Sequence, residues 1–179
     1  NDILHRAISN GNYEAETVSE TISPSMDIQI ASNFERLIFD LNDKNSEQTS
    51  KDMMKIKEEG KYSIDKEKLK LINHDFLSAR MSETETLDII KSVYQEFNIV
   101  LDPHTAIGYG AFDKHNLNGN NIVLATAHPC KFPDAIQSAI NIKAELPNEL
   151  QFILNEKENY DILENDIEKV KGHIKDRSK

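Results

Sequence analysis

Apolar residues recur at three- and four-residue intervals through much of this chain, and that spacing predicts a molecule rich in amphipathic helices. Between Ile28 and Asn42, the residues Phe34, Leu37, Ile38 and Leu41 share one helical face. From Ser82 to Phe97 the stripe is Leu87, Ile90, Val93, Tyr94 and Phe97. Ser82 with Glu85 supplies the pattern in which each side chain caps the other's backbone N–H. A short helix is predicted from Asp2 to Asn10, where Gly11 stops it. Asp102 before Pro103 marks a further start, with a helix to about Asp113, and Phe132-Pro133-Asp134 opens another to about Ile140. Ser23-Pro24-Ser25 and the stretch from Asn116 to Asn121 read as breaks.

Two apolar runs lack the helical period. Ile99-Val100-Leu101 and Asn121-Ile122-Val123-Leu124-Ala125-Thr126 are short and continuous, and they predict buried strands. The order from Ser82 to Ile140 then becomes helix, strand, helix, strand, helix. That alternation predicts an α/β fold, with helices around a partial, mostly parallel sheet. Residues 43–81 read as a charged, mostly helical surface region. Residues 147–179 read as a polar C-terminal tail, with one helix around Asp166 to Lys175 and fraying at Arg177-Ser178-Lys179.

Charge narrows the partners. The net charge is -10 over 179 residues, and no Lys/Arg cluster is free of interleaved carboxylates. Counterion release on nucleic acid needs the opposite sign, so no nucleic-acid partner is expected. No run approaches the roughly 18 apolar residues of a membrane span, and no membrane partner is expected either. A lone cysteine, Cys130, excludes an internal disulfide framework and fits a reducing, cytoplasmic setting. The chain opens on Asn1 rather than Met, and the expectation is a partial sequence.

In open parallel sheets, ligands bind beyond the carboxyl ends of the strands. Two polar clusters would lie there: Asp102-Pro103-His104-Thr105 and Thr126-Ala127-His128-Pro129-Cys130-Lys131-Phe132. Thr126 either touches a polar ligand atom or bonds to loop backbone. His104 either orients a ligand, acts as acid or base, or serves the helix start. His128 and Cys130 stand two apart with no second cluster at zinc spacing, so no metal site is expected. Cys130 is a nucleophile beside a histidine or a small buried side chain. Lys131, at a helix start beside Thr126, reads as an anion ligand or a solvated lysine. Neither a Gly-rich phosphate loop nor a G-x-S-x-G elbow occurs.

Four blocks carry a family likeness. Leu101-Asp102-Pro103-His104-Thr105-Ala106-Ile107-Gly108 and Leu124-Ala125-Thr126-Ala127-His128-Pro129-Cys130-Lys131-Phe132-Pro133 resemble the two C-terminal signatures of threonine synthases. Asn1-Asp2-Ile3-Leu4-His5-Arg6, and Ser23-Pro24-Ser25-Met26-Asp27-Ile28-Gln29 with Ser32-Asn33-Phe34-Glu35-Arg36-Leu37, resemble that family in the same order. Cys130 stands where the family commonly has alanine, and Ala7 where an aromatic often follows His-Arg.

The resemblance implies that residues 1–179 are the C-terminal portion of a fold type II enzyme dependent on pyridoxal 5'-phosphate (PLP). It implies a reaction converting O-phospho-L-homoserine and water into L-threonine and phosphate. No catalytic residue is assigned within the chain: the Schiff-base lysine and the loop for the cofactor phosphate are expected in the missing N-terminal part. The family's ring-nitrogen contact falls on Thr126, where a neutral hydroxyl donates to an unprotonated pyridine nitrogen. Another fold type II lyase of the threonine dehydratase kind, or a non-catalytic truncated module, are the competing readings.

Overall fold

The structure, a computed structural model, describes residues 1–178. The elements run α1 (Ile3–Asn10), β1 (Asn12–Glu14), α2 (Phe34–Leu41), α3 (Ser46–Glu59), β2 (Lys61–Ser63), α4 (Lys66–Asp75) and α5 (Glu83–Phe97). They continue with α6 (Pro103–His115), α7 (Pro133–Ile140) and α8 (Ile167–Arg177), and 3-10 turns occupy Pro24–Met26, Pro129–Lys131 and Asn148–Asn155. The end of the predicted fraying, at Lys179, lies outside the described residues.

The helix boundaries follow their caps. Gly11 ends α1 at φ 79°, a left-handed conformation that glycine adopts without a Cβ clash, and its N–H donates to the Ala7 carbonyl. At α5 the reciprocal cap forms, with Ser82 N–H donating to Glu85 Oε2 at 2.7 Å and Glu85 N–H donating to Ser82 Oγ at 3.3 Å. Asp2 precedes α1 but does not cap it, because its carboxylate takes Arg6 Nε at 2.9 Å and Arg80 Nη1 at 2.8 Å instead. Burial raises the Asp2 pKa, and the two guanidiniums outweigh it and hold the carboxyl below its usual range. The second helix starts at Phe34 rather than near Ile28: the Ala31 N–H goes to the Tyr13 hydroxyl at 2.7 Å, outside any helical ladder.

Two apolar clusters organise the first unit, which runs from Asn1 to Glu145. One collects Ile3, Ala7, Tyr13, Phe34, Ile38, Ile56, Tyr62, Ile64 and Ile72 from α1 to α4 and the two strands between them. The charged region 43–81 thus has an inner face as well as a solvated one. A buried polar set lies beside this cluster, where Asn42 Nδ2 and the Tyr62 hydroxyl both donate to Asp52. The other cluster is Ile90, Ala106 and Ile136, from α5, α6 and α7. On α5 the buried stripe is Thr86, Ile90 and Val93; Phe97, predicted inward, is half exposed.

The expected parallel sheet is absent among the described residues. Their only sheet is the antiparallel pair β1 and β2, with Tyr13 opposite Tyr62. Neither 99–101 nor 121–126 is a strand. A strand exists only with a ladder partner, and among the described residues no backbone N–H from Ile122 to Ala125 donates to a backbone carbonyl. Ile122 is 89% exposed and Leu124 74%, so the second run is unpaired and largely exposed rather than a buried strand.

From Leu146 the chain forms a second unit. Its α8 is capped by Asp166, whose side chain accepts from Glu168 and Lys169 N–H at 3.0 Å each, and the described residues there include no buried one. No helix of the described residues is long and apolar enough to cross a membrane.

Candidate functional site

The start of α6 is where the polar blocks meet. Asp102, 1% exposed, sits at the N-cap with extended backbone, and its Oδ1 accepts from His104 N–H at 2.9 Å. The same oxygen lies 3.4 Å from the Thr105 N and 3.1 Å from His104 Nδ1. The Thr105 hydroxyl donates to Asp102 Oδ2. Pro103 at the first helical position needs no N–H partner, so the cap leaves the carboxylate free for these side chains.

Beyond Asp102 the network extends both ways. The Ser25 N–H, in the turn Pro24–Met26, donates to His104 Nε2 at 3.1 Å. That nitrogen is therefore an acceptor, which assigns the ring proton to Nδ1 and directs it at Asp102. On the other side, Thr126 N–H donates to Thr105 Oγ1 at 3.0 Å. The Thr105 and Thr126 hydroxyl oxygens lie 3.4 Å apart. Since the Thr105 proton is committed to Asp102, Thr126 is the member of that pair with a proton to give.

A cleft of about 300 Å³ opens at this point, lined by Ser25, Met26, His104, Thr126, Ala127, Lys131 and Phe132. The Phe132 ring packs against His104 with centroids 4.8 Å apart, closing one side of the imidazole from water. Thr126 itself is exposed to the cleft.

Of the residues singled out by sequence, Thr126, His104, Lys131 and Phe132 come together here. His128 and Cys130 do not form a reactive pair, because His128 Nδ1 accepts the Cys130 N–H at 3.2 Å within one turn. Among the described residues no group of three metal-ligating side chains converges. Sequence reasoning missed Thr105 and Ser25 as partners. Thr105 was legible in outline, since a threonine three residues after an aspartate N-cap stands within reach of its carboxylate. Ser25, 79 residues from His104, carried no such signal.

The chain as a whole is similar to known proteins. A family model described as "Threonine synthase, C-terminal" matches residues 105–174. The threonine synthase of Pseudomonas aeruginosa is 37% identical over 177 residues, covering 97% of this chain and 38% of the relative. That of Saccharomyces cerevisiae is 36% identical, covering 98% of this chain and 40% of the relative. Among solved structures, a PLP-bound threonine synthase from Brucella melitensis superposes with a TM-score of 0.84 at 37% identity, over 98% of this chain and 38% of that one. The yeast threonine synthase superposes with a TM-score of 0.80 at 34% identity, over 99% and 40%.

The chain spans about 38% of the length of the Pseudomonas relative and 40% of the Saccharomyces one. The chain belongs to the threonine synthase family.

Proposed function

We propose that this chain is the C-terminal part of a PLP-dependent threonine synthase, which converts O-phospho-L-homoserine and water to L-threonine and phosphate. One observation carries the reading: the Thr126 hydroxyl faces the cleft with a proton to give, while the proton of its neighbour Thr105 is held by Asp102. That donor set fits a PLP ring nitrogen. A neutral hydroxyl hydrogen-bonds an unprotonated pyridine without charging it, and the one carboxylate of the network, Asp102, is buried behind Thr105. PLP supplies an electron sink for charge developing on substrate carbon.

The chain's own residues do the holding. Thr126 orients the ring edge, Thr105 fixes the Thr126 backbone, and Phe132 and Met26 supply apolar walls that limit water. Lys131, at the cleft rim, adds a positive charge favourable to a phosphorylated substrate. The lysine that bonds the cofactor and the cradle for its phosphate belong, in this reading, to the rest of the protein. The same part supplies strands that pair with 99–101 and 121–126, so that the mostly parallel sheet of a fold type II enzyme is completed across the two pieces. The unpaired N–H groups and exposed Ile122 and Leu124 support this. A reducing cytoplasm is the proposed setting, supported by the single free thiol of Cys130.

The test is turnover and cofactor absorbance of the whole protein with Thr126→Val and Thr126→Asp. Valine keeps the shape and deletes the donor, costing about 1–3 kcal/mol at the ring nitrogen. Aspartate protonates the nitrogen and changes the ratio of threonine to elimination products. The isolated 179-residue chain should give no stoichiometric, borohydride-reducible PLP adduct. Wild-type spectra and product ratios in both variants would reduce Thr126 to a loop residue.

A further inference from the structure

The imidazole of His104 has the look of an acid–base group: it lines the cleft beside Thr126 and contacts a buried aspartate. Its hydrogen bonds assign it another part. Both ring nitrogens are occupied by the protein itself, Nδ1 donating to Asp102 Oδ1 and Nε2 accepting from the Ser25 amide. The side chain is only 9% exposed, and Phe132 packs on its ring. A histidine that relays protons to a ligand needs one nitrogen turned toward that ligand. Here neither is available without giving up a bond to Asp102 or to Ser25.

We infer that His104 is a positioning residue, a neutral crosspiece locked in the Nδ1–H tautomer, which sets the distance between the Ser25 turn and the Thr126 loop across the cleft. The bonds run in one continuous line: Ser25 N–H to His104, His104 to Asp102, the Thr105 hydroxyl to Asp102, and Thr126 N–H to Thr105. Each end of the line is a backbone amide on a wall of the cleft. The middle is anchored by the capped start of α6, where Asp102 and Ala106 are both fully buried. A rigid element that holds two loops at fixed separation limits the loss of orientation at the bound ring. The inference rests on the reading of this cleft as the cofactor site, and it extends that reading to the wall facing Thr126.

The experiment uses the whole protein that contains this chain. His104→Gln places an amide oxygen where Nε2 stood, able to accept the Ser25 N–H but unable to transfer a proton; His104→Ala removes the crosspiece altogether. The expected result is kcat/KM within about threefold of wild type for Gln and a fall of about tenfold to a hundredfold for Ala. The Ala loss should be shared between KM and kcat, because both loops are displaced. Amide hydrogen exchange at Ser25 should remain slow in Gln and become fast in Ala, and 15N spectra of the wild type should place the ring proton on Nδ1.

Equal inactivity of the Gln and Ala variants would overturn the proposal in favour of acid–base chemistry. So would a ring proton on Nε2, or wild-type kinetics in Ala. Failure of the cofactor-site reading would look different: the tautomer and the Ser25 exchange contrast would be as expected in a protein that binds no PLP.

Discussion

Asp102 gathers four donors from two neighbours: the backbone N–H groups of His104 and Thr105, the His104 ring and the Thr105 hydroxyl. A carboxylate has acceptor capacity for all four, whereas an asparagine in its place presents one oxygen and turns an NH2 group toward one of the donors. Asp102→Asn should therefore destabilise the fold by about 1–3 kcal/mol, read as a lower urea midpoint at unchanged slope. At this scale the sequence was partly legible. Asp before Pro announces the cap, and the cap residue is where it was expected. The place of the His104 ring proton and the bond between Thr126 N–H and Thr105 were not legible, because they depend on Ser25 and Thr126, which only the folded chain brings near.

Among elements, the helices were legible and the strands were not, for one physical reason. A helix satisfies its backbone within itself, so caps and a 3.6-residue period mark it locally; a strand depends on a partner elsewhere. Accordingly α5, α6 and α7 begin within a residue of expectation, while 99–101 and 121–126 form no ladder. The cap of α5 gives a pH prediction. The hydrogen bonds that the Glu85 carboxylate accepts from Lys114 and from Ser82 pull it from 4.5 down to about 2. A depressed folded-state pKa stabilises fully above the unfolded value and loses that contribution as pH falls through the folded one. The support Glu85 gives the α5 N-terminus should thus persist at pH 5 and fade between about 4.5 and 2. An NMR titration of the Glu85 carboxyl would show a midpoint near 2, moving upward in Lys114→Met because the largest cause is removed. Ser82→Ala should cost about 1 kcal/mol at neutral pH by thermal unfolding.

For the whole molecule, the decisive quantity is what the chain leaves unpaired. Ile99, Ile122 and Leu124 are more than half exposed, and Ile122 to Ala125 offer a row of free N–H groups. Such an edge is a template for strand addition. If the remainder of the protein provides the partners, amides from Ile122 to Ala125 should exchange within seconds in the isolated chain and be protected by several orders of magnitude in the whole protein. Rapid exchange in both would remove the support for sheet completion while leaving the cleft residues where they are. The two apolar runs thus predicted a parallel sheet that the described residues do not contain.

The bond between Ser25 and His104 also has a history in time. It closes a loop of 79 residues, whereas the cap that Asp102 makes with His104 and Thr105 closes only two or three. Chain entropy makes near contacts early and distant ones late. During folding, then, α6 acquires its capped N-terminus first, and the Ser25 turn docks onto an imidazole already held by Asp102. The cleft is among the last features to form, and a chain halted midway would carry an intact helix start without a second wall.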